Sequence, residues 1–344
     1  MRPLKRSMPP KWSTPGSLRF SNTGPPGSFQ RVFGTTQPST MRCLALVDDE
    51  ISGRPLTADE KSAAAAIRRR IPQAYRPAAP YLLDDLGHYC SYCELPLHDP
   101  AQLEHALPKS QYPIFALDWT NFLPACIGCN SRKNDQPLRS VITARLPTEP
   151  PPAPSAYFDE VRTRAYRWPD IDDVVGFFGI QLIWRDENDE WQPVPPAASV
   201  STDTKQVRQM NVVEGDVRAD VPALGLSNAV VAAIAVNEAP GGDDRTDQMI
   251  KMCALARRPI PNDSADRRTL FRTEAWFSAV RALAPMAAGP LPATLSPLVV
   301  DLITSKGFYW VWLSVATLIS PALLRLVVDG TAGSIPGTDA ARLP

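Results

Sequence analysis

Two short cysteine pairs, "YCSYCE" with Cys90 and Cys93 and "ACIGCN" with Cys126 and Cys129, constrain this chain more than any other feature. A Cys-x-x-Cys turn presents two thiols from one tight loop, and two such turns supply the four ligands of a tetrahedral zinc site. Residues 94–125 lie between the pairs. That spacing exceeds a simple zinc ribbon's and leaves room for a hairpin and part of a helix, with the ion tying the two ends together. Free buried thiols or a redox Cys-x-x-Cys are the plainer alternatives. Cys43 and Cys253 stand alone, and the basic start runs into Pro, Ser and Gly instead of an apolar core. A secreted disulfide framework behind a signal peptide is therefore not expected, and a reducing cytoplasmic setting is.

Charge refines the expectation. The 344 residues carry 36 basic and 36 acidic side chains, so no global field draws the chain to a polyanion. The charges are polarised along the chain, however. Residues 1–42 hold Arg2, Lys5, Arg6, Lys11, Arg19, Arg31 and Arg42 with no acidic residue, and "IRRRIPQAYR" follows at 67–76. Residues 170–190 are acidic. A basic face is allowed without a basic protein.

Punctuation divides the chain. Residues 1–55, rich in Pro, Gly, Ser and Thr, read as a basic extended arm. Thr57 and Glu60 have capping-box spacing ahead of an alanine run, opening a helix and the cysteine-bearing domain, 56–145. "LPTEPPPAPSAY" (146–157) reads as a stiff Pro-rich linker. The remainder, 158–344, is expected to be a mostly helical domain with a β-hairpin at "GFFGIQLIWRDENDEWQPV", and reads as a candidate assembly unit. Helices are read at "DRTDQMIKMCALARR", "DRRTLFRTEAWFSAVRAL" and "SPLVVDLITSKG", the last with Ser296 as cap and Gly307 as stop. Gly307 to Leu324 is uncharged and reaches membrane-span length, but Ser314, Thr317, Ser320 and Pro321 favour two buried helices meeting at Ser320. The fold class expected is α+β.

The residues suggestive of chemistry lie within or just after the segment between the cysteine pairs. "LEHALPKSQYP" (103–113) and "DWTNFLPACIGCNSRKN" (118–134) together give EH-xx-PK … DW-x-N-x-L-x-x-C-x-x-CN-x-x-K. This run, over about residues 86–136, resembles the HNH nuclease family. The EHxxPK form, "MRPLKR" and "YCSYCE" resemble the HNH subunits that accompany an ATPase in Septu-type anti-phage systems. The C-terminal half is not covered by the resemblance.

The resemblance implies two strands and a helix around one catalytic metal, clamped here by structural zinc. It implies His105 as general base, Glu104 and Asn130 as ligands of Mg2+ or Mn2+, and Asn121 holding the His105 ring. A neutral imidazole suits proton abstraction near pH 7, and a hard dication suits oxygen ligands. Lys109, Arg132 and Lys133 are candidate phosphate contacts. Asn130-Ser131 also reads as a helix start aimed at a phosphate. Glu104 stands where many relatives have aspartate, and Asn130 where the family name has its last histidine. Adjacent strand residues face opposite ways, so Glu104 and His105 converge only if the strand ends or twists there. Each residue has a plainer reading: a structural histidine or spare zinc ligand, a capping asparagine, solvated lysines and arginine. His88 and His98 are assigned no role.

The implied partners are DNA, with RNA left open, and an ATPase subunit. No element that reads base sequence is evident. The contrasting hypotheses are a non-catalytic zinc module that binds nucleic acid or protein, and a C-terminal half serving membrane contact or complex assembly.

Overall fold

The computed structural model describes residues 37–97, 102–138, 166–168, 172, 177–196, 200, 209–213, 216–221, 226–238, 242–256 and 267–335. The Pro-rich 146–157 and the arm before residue 37 lie outside them.

Three helices come first: α1 Gln37–Ile51, α2 Ala58–Tyr75 and α3 Ala79–Leu86. The first corrects the extended arm read through residue 55. Leu44 and Val47, three apart, share a buried cluster with Ala64, Ile67 and Ile71. That apolar stripe makes a helix worth forming despite the turn-rich composition upstream. The capping box at the start of α2 is present. Thr57 Oγ1 accepts from the Glu60 N–H at 3.3 Å, and the Glu60 carboxylate accepts from the Thr57 N–H at 2.8 Å.

Between the cysteine pairs, β1 (Gln102–His105) and β2 (Phe122–Ala125) pair antiparallel, with Gln102 opposite Ala125 and His105 opposite Phe122. Helix α4 (Ile127–Lys133) follows directly. Its N-cap is Cys126, whose sulfur accepts from the Cys129 N–H at 3.4 Å. The helix therefore starts at Ile127, three residues earlier than the sequence suggested, and Asn130 sits within it.

The C-terminal half is less helical than expected. Five antiparallel strands, β3 (Phe178–Arg185), β4 (Trp191–Pro193), β5 (Gln209–Val213), β6 (Asp216–Val221) and β7 (Leu226–Glu238), form one sheet in the order β4-β3-β7-β6-β5. Only the β3–β4 hairpin was legible. Helices α5 (Asp244–Met252), α6 (Arg268–Leu283), α7 (Pro297–Lys306), α8 (Tyr309–Ile319) and α9 (Pro321–Thr331) follow. The pairing of β6 with β7 stops at Val217 opposite Ala232. Beyond it, the Ile234 N–H donates to Thr273 Oγ1 (3.0 Å) and its carbonyl accepts from Arg272 Nε (2.9 Å), so α6 covers an edge that would otherwise stay unpaired.

The uncharged stretch forms α8 and the first turn of α9, with Ser320 between them; its Oγ accepts from the Leu323 N–H at 3.1 Å. Among the described residues, no helix is long and apolar enough to cross a membrane.

A shared core joins the halves: Cys90, Trp119 and Phe122 belong to the same buried cluster as Trp168, Phe178, Met249 and Leu255. Polar ties reinforce it. The Tyr89 hydroxyl donates to the Thr304 carbonyl at 2.6 Å. Glu94, just after the first cysteine pair, accepts from the Phe308 N–H on its carbonyl (3.2 Å) and from the Trp310 N–H on Oε2 (2.9 Å), capping α8. Gly307, at φ +66, permits this approach, because a Cβ there would lie 2.8 Å from Pro96 Cγ and 2.9 Å from the Glu94 carbonyl oxygen.

Candidate functional site

The sulfurs of Cys90, Cys93, Cys126 and Cys129 lie within 4.8 Å of one another, and all four residues are buried. Cys93 Sγ and Cys126 Sγ are 3.8 Å apart. A zinc tetrahedron with bonds of about 2.3 Å has edges of about 3.8 Å, so the spacing fits that ion. Burial pushes the Cys93 and Cys129 thiols well above the ordinary range, while hydrogen bonds from Cys129, Cys90 and Cys93 push Cys126 down. The four cysteines can hold a zinc ion.

Beside α4 lies a polar cavity of about 220 Å³, lined by Glu104, His105, Pro108, Lys109, Asn130, Ser131, Asn134 and Asp135. Glu104 and His105 both line it although they are neighbours in sequence, at the C-terminal end of β1. His105 is 4% exposed, and its Nε2 lies 3.0 Å from the Ala116 carbonyl oxygen. Burial is the main cause that draws its pKa down to about 3; the Lys109 charge adds to it, the Ala116 carbonyl opposes it and Lys133 adds a smaller push. The ring is thus neutral at pH 7. A carbonyl only accepts, so Nε2 carries the hydrogen and Nδ1 keeps the lone pair. Tyr75 and Phe122 hold the ring edge-on at centroid distances of 4.6 and 5.2 Å.

No protein-family model matches the chain, and no solved structure matches it. Over 55 residues the chain is 40% identical to the Septu protein PtuB of Bacillus thuringiensis. The match covers 15% of this chain and 21% of that relative, so the chain spans about a fifth of the length of the curated relative it matches. This supports a Septu-like relationship over that stretch.

The remaining candidates are distributed unevenly around the cavity. Asn130 Nδ2 donates to Gln102 Oε1 at 2.6 Å, leaving the Asn130 amide oxygen as an acceptor. Lys109 lines the rim, with Nζ 5.6 Å from the centre of the Tyr75 ring, and Arg132 is exposed on the neighbouring helix face. Lys133 departs from its reading as a phosphate contact. It is 0% exposed and donates to Glu104 Oε1 at 2.5 Å and to the His105 carbonyl at 2.8 Å. Burial raises the Glu104 carboxyl above its usual value, and the Lys133 charge pulls it part of the way back. Lys133 thus braces the strand end.

Asn121 also acts elsewhere than expected. Its amide bonds the main chain of Leu107 and Phe115, while the Ala116 carbonyl, one residue further on, takes the His105 ring nitrogen. Gln102 was missed, though a signal existed. Strand residues two apart share a face, and helix residues three apart do too. Gln102 and Glu104 therefore meet Asn130 and Lys133 in step.

Proposed function

We propose that the chain is a metal-dependent HNH-type endonuclease that hydrolyses DNA phosphodiester bonds, working beside an ATPase partner in a Septu-type anti-phage defence system. One observation carries the reading: His105, with Nε2 committed to Ala116, shares a polar cavity with Glu104 and Asn130. In this role Nδ1 accepts a proton from the attacking water, and Ala116 and the flanking rings hold the imidazole at one angle. Lys109 at the rim meets the phosphate charge. Glu104 and the Asn130 amide oxygen are the groups that would hold magnesium or manganese. Such an ion would supply Lewis-acid stabilisation to the phosphate and the departing oxygen. The four cysteines, holding zinc, keep α4 and its Asn130 against β1. The Septu match favours the defence setting and the presence of a partner.

Supercoiled plasmid incubated with the chain and Mg2+ or Mn2+ tests this. Nicked or linear product is expected, with His105→Ala slower by about 100-fold or more. Equal cleavage by native chain and variant removes His105 from the reaction. One observation favours a second reading, a zinc module that binds nucleic acid or a partner without cutting: Lys133 already neutralises Glu104. Plasmid retention without any nicking, with either metal and with the ATPase present, selects that reading.

A further inference from the structure

We propose that Arg268 is an outer partner of the four-cysteine metal centre, through which the C-terminal half sets how tightly the cysteines hold zinc. Arg268 opens α6 and is 5% exposed. Its Nη1 donates to Cys129 Sγ at 3.0 Å and to the Cys253 carbonyl at 2.8 Å. The same side chain lies over the second cysteine turn: a Cβ built on Gly128 would meet Arg268 Nε at 3.5 Å. Two independent contacts thus seat this guanidinium on the turn that bears Cys126 and Cys129.

The charge balance gives the contact a purpose. Four thiolates around a dication leave a net charge of minus two, which is costly to bury without a counter-charge. A guanidinium brings the positive charge and a directed donor at once, and its bond to the Cys253 carbonyl fixes its angle. The energetic weight of such contacts is known in kind, since losing an outer partner of a metal ligand costs about 10- to 100-fold in affinity. The metal centre is then completed by a residue 139 positions along the chain from Cys129. This inference does not depend on the nuclease reading, because it concerns the zinc site alone.

The test uses the full chain loaded with zinc, in competition with a chromogenic chelator, and the same chain loaded with cobalt. Arg268→Met keeps most of the packing stem and removes the charge and donors. It is expected to hold zinc about 10- to 100-fold more weakly and to move the thiolate-to-cobalt absorption band to lower energy. Arg272→Met is the control for general destabilisation. That arginine is buried in the next turn of α6 and bonds the Ile234 and Leu255 carbonyls. It should leave zinc affinity and cobalt band at the native values. Native affinity with an unshifted band in Arg268→Met overturns the proposal, as does an equal change in both variants. If Arg268→Met does not fold, Arg268→Gln decides: the neutral amide removes the positive charge, so a native band with native affinity overturns the proposal there.

Discussion

Asn121 is wholly buried, and its amide makes three hydrogen bonds to main chain: from the Leu107 N–H, and to the Leu107 and Phe115 carbonyls. Asn121→Ala would leave those groups without partners and without water. A loss of about 3 kcal/mol in unfolding free energy is expected, measured by urea titration. A change under about 0.5 kcal/mol would mean that the 107–116 loop does not depend on this amide. Glu104, His105 and Asn130 were recognisable from the sequence as a group, because their motif spacing is local, and they do line one cavity. Lys133 was not legible. A lysine beside an arginine reads as a solvated pair, and only the docking of α4 on β1 turns one inward and leaves the other exposed.

At the scale of elements, helix ends were the most readable feature. Thr57 and Glu60 mark α2, Ser296 and Gly307 bracket α7, and Ser320 separates α8 from α9. Each signal lies within a few residues of the end it defines. Strands β5 to β7 gave no such signal. Ala232, Ala233 and Ile234 of β7 are buried in succession, so the two-residue alternation of a half-exposed strand is absent, and the small alanines admit α6 against the sheet. Asp243 provides a test at this scale. It caps α5 through the Thr246 N–H and pairs with Arg167 Nη2 at 2.6 Å. Burial opposes its ionisation, but the bonds from Arg167 and Thr246 outweigh it and hold the carboxyl at about 2. The folded value lies below the unfolded one, near ~3.8. The stabilisation is therefore complete above that value and is lost as pH falls through about 2. Asp243→Ala should cost about 1 kcal/mol near pH 7, as lost helix caps do, with the gap to the native chain narrowing between about pH 4 and 2. Melting curves across that range check it, and a constant gap would contradict it.

At the scale of the whole molecule, the boundary read from prolines does not separate two cores. Trp168, Phe178 and Leu255 pack with Trp119 and Phe122, and Glu94 caps a helix far along the chain. A fragment of residues 56–145 is expected to expose these apolar surfaces and to unfold without a cooperative transition by circular dichroism. A fragment that binds one zinc ion and melts sharply would restore the two-domain division. Linker composition is written locally, whereas long-range packing is spread over residues that look ordinary one at a time. Within that shared body, Gln102–Asn130 and Glu104–Lys133 join β1 to α4 like two rungs of a short ladder. With both in place the floor of the cleft has no slack. If the proposed reading holds, a phosphate entering the cleft meets a preset spacing, and Lys109 at the rim is the group left to adjust to it.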